Sequence, residues 1–314
     1  MSGEALPVVL ASEIEVQPEQ QHWLIEGLWA RSAIGLLGGP PKVCKTWMGL
    51  DMAVSVASGT AALGHFPCTA PGAALVFLAE DALPQVRSRI ASLCASRGLD
   101  IQSLDLHVIT SPLLRLDLRR DQERLAQTIE TLRPSLVLLD PLVRLHRLDE
   151  NSASEISGLL GYFRGLQRRF DAAIVLVHHS SKKQRAHPGQ ALRGSSDLHA
   201  IGDCNAYLAR DGKRITLTIE HRAAPSPEPM QIELAGEDGG EGVHLRVVSE
   251  ATSLSLELSL REQVLDLLAR SGEALTRAAL RSALRVNNQR LGDELEDLLQ
   301  QKRIARTAKG WTLS

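Results

Sequence analysis

Residues 38–47 read GGPPKVCKTW and set a lysine beside a hydroxyl, Lys45 and Thr46, after a glycine- and proline-rich turn. A tight turn feeding a helix N-terminus aims successive backbone N–H groups at one point and favours an anion there. An ammonium and a hydroxyl in these positions reach terminal phosphates and a Mg²⁺ ion. Gly39, Pro40, Pro41, Lys42, Val43, Cys44, Lys45, Thr46 and Trp47 are therefore the candidate ATP cradle, with a plain Gly/Pro turn before a core helix as the bland alternative. The pattern G-x-x-x-x-G-K-[ST] asks for glycine where this chain has Cys44. A non-glycine residue at φ > 0 costs about 1–2 kcal/mol, and only if the position needs that conformation. ATP binding is expected to survive the substitution; the speed of hydrolysis is left open.

Four further groups could complete the chemistry. SLVLLDP (135–141) ends an apolar run in Asp140, and a carboxylate on a strand beside the loop strand reaches Mg²⁺ through water. AALVFLAED (73–81) ends in Glu80 and Asp81. Glu80 is the expected residue to orient or deprotonate an attacking water; alternatively both acids cap the next helix, a role that suits Asp81 better. AAIVLVHHSS (172–181) carries His178 and His179, which point to opposite faces of a strand and so do not share a metal. One reading makes them a γ-phosphate sensor, the other satisfied buried imidazoles. KKQRAHPGQALRGSSD (182–197) carries Lys182, Lys183, Arg185 and Arg193, which suit a nucleic-acid backbone, a neighbouring subunit's phosphate, or merely solvent.

The elements needed to hold these groups are visible as pattern. AIGLLG reads as a buried strand and TWMGLDMAVSVAS as a helix closed by Gly59. Apolar strands and amphipathic helices then alternate as far as His179, which indicates an α/β fold with a mainly parallel sheet. NAYLAR, RITLTIEH, MQIEL and VHLRVV read as antiparallel strands extending that sheet. The expected layout is a flexible arm over 1–21, an ATPase domain over 22–249, a linker over 250–259 and a small domain over 260–314. The last contains three helices and a hairpin around Lys309-Gly310, the order of a winged helix.

Composition bounds the rest. The chain has 314 residues, 44% hydrophobic and 23% charged, as in an ordinary globular protein. Net charge is -2 and aromatic content 3%, so any polyanion contact must come from a local patch or an assembly and not from aromatic stacking. Four scattered cysteines without a C-x-x-C pair suggest neither zinc nor a redox dithiol. An acidic start and no long apolar run lead to the expectation of a cytoplasmic protein with no membrane partner. Residues 260–314 hold ten Lys/Arg against seven Asp/Glu. Asn288, Arg290, Arg306 and Lys309 are the candidate DNA contacts there, and protein docking is the alternative.

Taken in order, WLIEGLWARSAIGLLGGPPKVCKTW, FLAED, LLDPLVRLHRLDENSASEISGLL, VHHSSK and RGSS resemble the RecA-like hexameric ATPases, most closely the group of the plasmid RepA replicative helicase. The resemblance spans about residues 22–233. It implies a RecA-like P-loop NTPase core in a hexameric ring, with ATP and Mg²⁺ between subunits, acting on DNA. On the same basis Lys45 and Thr46 match the Walker A pair, Glu80 the catalytic glutamate, Asp140 the Walker B aspartate and His179 the γ-phosphate sensor. Arg193 matches an arginine finger supplied in trans, and Arg222, or His221, a second basic residue. Cys44 and the C-terminal winged helix depart from the family pattern. An ATP-gated DNA-binding or regulatory adaptor with little unwinding therefore stands as the alternative function.

Overall fold

In a computed structural model the structure describes residues 8–14, 22–179, 196–212, 214–236, 242–248, 260–284, 286, 288–307 and 309–313. The chain divides into two compact units, Met1–Val247 and Val248–Ser314. Among the described residues no helix is long and apolar enough to cross a membrane.

The first unit opens with a hairpin too short to stand out in sequence, β1 (Trp23–Ile25) and β2 (Trp29–Ala30). Then come β3 (Ile34–Gly39), α1 (Lys45–Ser58), β4 (Ala74–Leu78), α2 (Leu83–Ala95), β5 (Leu106–Val108), α3 (Arg119–Leu132), β6 (Leu136–Asp140), α4 (Ala153–Phe170) and β7 (Ala173–His179). The run ends with α5 (Ser196–Ala200), β8 (Cys204–Asp211), β9 (Arg214–His221), β10 (Met230–Ala235) and β11 (His244–Val247). The last nine strands of this unit form one sheet in the order β11-β10-β9-β8-β3-β7-β6-β4-β5. From β8 to β5 every pairing is parallel; β8–β9, β9–β10 and β10–β11 are antiparallel.

The unbroken apolar runs of β3, β4 and β6 are explained by burial of every residue in them. The sheet is covered on both faces, as parallel sheets are. On one face α1 and α2 enclose Met48, Leu50, Ile90, Val76 and Leu138. On the other, α3 and α4 enclose Leu125, Ile129, Phe163, Leu75 and Leu139. Gly59 ends α1 in the left-handed region, its N–H bonded to the Ser55 carbonyl, as the helix-stop reading requires.

Two sequence expectations are corrected here. The strand of NAYLAR pairs parallel to β3 and turns antiparallel only toward β9; a period of two fixes faces but not direction. The strand of Asp140 is not beside the loop strand, because β7 lies between them. Strand order is a long-range property that no local pattern carries.

The second unit contains α6 (Leu260–Ser271), α7 (Arg277–Leu284), α8 (Asn288–Gln300) and a hairpin of β12 (Ile304–Thr307) with β13 (Gly310–Leu313). Its own core includes Val264, Leu268, Leu280, Leu291, Leu295, Ile304 and Trp311. Leu275, between α6 and α7, exchanges backbone hydrogen bonds of 2.9 and 2.8 Å with Trp311. That close approach accounts for Gly310, at φ +139°, where a Cβ would lie 2.4 Å from the Leu275 carbonyl oxygen.

Candidate nucleotide site

The loop between β3 and α1 makes the tight turn that an anion cradle needs. Lys42 sits at φ +64° and Cys44 at φ +70°, both in the left-handed region. Position 44 thus does need the conformation glycine adopts freely, and cysteine adopts it at the cost bounded above. At the start of the loop Gly39 has φ +151°, and a Cβ there would come within 2.4 Å of the Leu208 carbonyl oxygen on β8. Val43 is buried and anchors the turn in the core. Pro40 and Pro41 carry the chain across the rim, and Trp47 lies half-buried with the Arg89 guanidinium 5.9 Å from its ring centre.

Lys45 opens α1 and is 6% exposed. Its ammonium donates to the carbonyls of Gly39 at 2.9 Å and Pro40 at 2.7 Å. Burial pushes its pKa down to about 8, against the opposing pull of Asp140 and Glu80. The next residue, Thr46, donates its hydroxyl proton to Asp140 at 2.7 Å. Asp140 is also 6% exposed, and burial raises its pKa to about 6 despite the Thr46 hydrogen bond and the Lys45 charge. The helix meets β6 because Gly49 has no side chain: a Cβ there would lie 2.8 Å from Leu138 Cδ1. This glycine, one turn into α1, sets Thr46 on Asp140 although β7 separates the two strands. The sequence reading passed it over; its place inside an otherwise good helix, where glycine costs ~1 kcal/mol, was the available signal.

The acids after β4 lie beyond the strand, which ends at Leu78. The Ala79 N–H donates to the Asp140 carbonyl at 2.8 Å, so the two chain ends run side by side. Glu80 accepts from Arg144 Nε at 2.7 Å, with both side chains about half exposed. Asp81 pairs with Arg89 on α2. Neither acid caps α2: the cap residue is Ala82, without a side-chain hydrogen bond. The capping alternative for Asp81 gives way to this ion pair two turns into the helix.

His178 and His179 stand opposite Gly38 and Gly39 in the β7–β3 register. They occupy opposite faces, as alternation demands. His178 is buried on the α4 side, its Nδ1 3.7 Å from Glu150 Oε1, which also lies 3.6 Å from His146 Nε2. His179 follows Val175 and Val177 on the α1 side, the face of the loop. Arg210, near the end of β8, was not anticipated: its guanidinium lies 3.6 Å from Cys44 Sγ. Burial raises the Cys44 thiol pKa, and Arg210 opposes that rise.

Arg222 lies elsewhere. It follows β9 at the opposite end of the sheet from the loop, paired with Asp203 at 3.2 Å and donating to the Ala200 carbonyl. It therefore does not meet the loop of its own chain. Lys182, Lys183, Arg185 and Arg193 fall outside the described residues. In the second unit Asn288 and Lys309 are exposed, and the Arg306 guanidinium sits 5.6 Å from the centre of the Trp311 ring. The side chain of Arg290 falls outside the description. Arg277, Arg306, Lys309 and one acid, Glu296, line a cleft of about 430 Å³.

With this geometry in view, comparison with known proteins is informative. No curated protein matches the sequence. Among solved structures the chain is similar to a RadB recombinase, with a TM-score of 0.52 and 16% identity over 70% of this chain and 93% of that one. It is also similar to a DnaB-like replicative helicase, with a TM-score of 0.51 and 16% identity over 66% of this chain and 56% of that one. At such identity the likeness is one of fold, and the fold is the RecA-like arrangement described above. The model of the AAA domain family matches residues 2–185, more than half of the chain. The chain therefore belongs to the AAA domain family, with a P-loop ATPase core of RecA-like fold.

Proposed function

We propose that this protein binds ATP with Mg²⁺ and hydrolyses it, as an oligomeric motor of the RepA helicase type acting on DNA. The observation that carries the reading is the meeting of Lys45, Thr46 and Asp140 at the mouth of a left-handed loop. The residues fit the cofactor: a hydroxyl and a buried carboxylate in contact form a hard oxygen pair of the kind Mg²⁺ selects. Thr46 and Asp140 would hold the Mg²⁺, which would supply neutralising charge at the phosphates. The chain's own groups do the rest. Loop N–H groups hold the phosphates, and Lys45 exchanges its two carbonyl partners for phosphate oxygens. Glu80, released from Arg144, orients the attacking water and accepts its proton, while His179 contacts the γ-phosphate from the end of β7.

The position of Arg222, far from its own loop, suits a cation that serves a neighbour's nucleotide, and Arg193 is proposed for the same duty. A ring with shared sites is proposed to go with that division. Lys182, Lys183 and Arg185 are proposed DNA contacts. The C-terminal unit is proposed to be a winged helix, supported by the Leu275–Trp311 bridge that ties the connection between α6 and α7 to its hairpin, with Asn288, Arg290, Arg306 and Lys309 toward DNA.

The second reading, an ATP-gated DNA-binding adaptor, is favoured by Cys44 at φ +70° and by the Glu80–Arg144 ion pair, each of which would slow turnover if it persists in the nucleotide-bound state. The test is the ATPase rate with and without single- and double-stranded DNA, beside Lys45→Ala and a forked-DNA unwinding assay. A Lys45→Ala protein that hydrolyses ATP at the parental rate would sink the assignment. Strand separation that needs hydrolysis selects the motor; nucleotide-dependent binding without separation selects the adaptor.

A further inference from the structure

β8 is locked to the start of the loop. Leu37 and Gly38 pair with Ala206 and Tyr207, and Gly39 is held against the Leu208 carbonyl. Arg210, two residues further on, is exposed at the loop rim with its guanidinium against the Cys44 thiol. Three other cations around the site have strong partners: Arg144 has Glu80, Arg89 has Asp81, and Lys45 has two carbonyls; Lys42 is exposed on the loop itself. Arg210's recorded partner among the described residues is a thiol, a weak acceptor for a group with five donors. Among the described residues no carboxylate pairs with it, beside a loop whose turn suits an anion. A guanidinium also matches phosphate oxygens two at a time, which an ammonium cannot do.

We propose that Arg210 is a nucleotide-binding residue, parked at the loop rim by the Cys44 side chain and able to turn its donors onto the polyphosphate. This rests on the ATP-binding reading above and adds a contact that a glycine at position 44 could not organise. The substitution in the loop then has a compensating role. Glycine at 44 relaxes the backbone but removes the anchor of the arginine, so Cys44→Gly is not expected to tighten binding.

The test is the dissociation constant of a fluorescent ATP analogue for the full chain, measured on the parent, Arg210→Ala, Arg210→Lys, Cys44→Gly, the Cys44→Gly/Arg210→Ala double variant and Lys45→Ala. Arg210→Ala is expected to weaken binding about tenfold, the loss of a charge-assisted phosphate contact, with Arg210→Lys between it and the parent. Cys44→Gly should weaken binding less, and the double variant should be no weaker than Arg210→Ala, the non-additivity of a coupled pair. Unchanged affinity in Arg210→Ala, or fully additive losses, overturns the proposal. Lys45→Ala separates the two levels: if it weakens binding while Arg210→Ala does not, only the Arg210 assignment falls, whereas unchanged affinity in Lys45→Ala removes the ATP reading beneath it.

Discussion

The ends of β6 and β4 lie side by side and each delivers a carboxylate, yet the two acids live in different media. Asp140 is 6% exposed, bonded to Thr46 and held by burial at a pKa of about 6. Glu80 is about half exposed and engaged by Arg144 across the surface. A buried acid that meets a hydroxyl is fixed and costly, which suits a group that holds an ion in one place. An exposed acid in a screened pair can change partners at little cost, which suits a group that must meet water. Two neighbouring strand ends thus place their acids in different environments by depth.

Substitution tests this contrast. The largest effect is expected from Glu80→Gln: a fall in turnover of about 10²–10⁴-fold with nucleotide affinity changed no more than about threefold. Steady-state ATPase beside equilibrium nucleotide binding measures both, and equal turnover in the variant would break the contrast at the β4 end. Asp140→Asn should instead remove the dependence of binding on Mg²⁺, and it should also stabilise the fold. The sign follows from linkage. The folded-state pKa of Asp140 is raised above its usual 3.8, so between about pH 4 and 6 the folded chain binds more protons than the unfolded one, and stability falls as pH rises through that window. At pH 7 the neutral side chain is expected to gain up to ~3 kcal/mol, visible in urea unfolding as a difference from the parent that shrinks toward pH 4. A variant less stable than the parent at pH 7 would show that the Thr46 bond outweighs burial. The smallest effect belongs to Arg144→Ala, which frees Glu80: stability should move by less than ~1 kcal/mol while turnover rises a few-fold. A drop in turnover would instead make Arg144 part of the working site.

Much of the molecule was legible because burial on both faces writes itself as unbroken apolar runs. AIGLLG, FLAED and SLVLLDP each announced a strand and the group after it. The left-handed requirement at Cys44 was legible as a possibility, from one departure in a motif. Other features were not. The five residues of the β1–β2 hairpin are too few for any period to emerge. The parallel direction of β8 and the insertion of β7 between β3 and β6 depend on distant pairings. Arg210 stands 166 residues from Cys44, and nothing in DGKR or LARD points toward the loop.

The contact between Gly39 and the Leu208 carbonyl has a mechanical consequence. Side chains absorb small displacements by rotating, but two backbones in contact have no such compliance. Any tilt of β8, and of β9 to β11 hinged behind it, must be taken up at the first residue of the loop. A displacement of the antiparallel half of the sheet would therefore reach the loop between β3 and α1 through this one backbone contact.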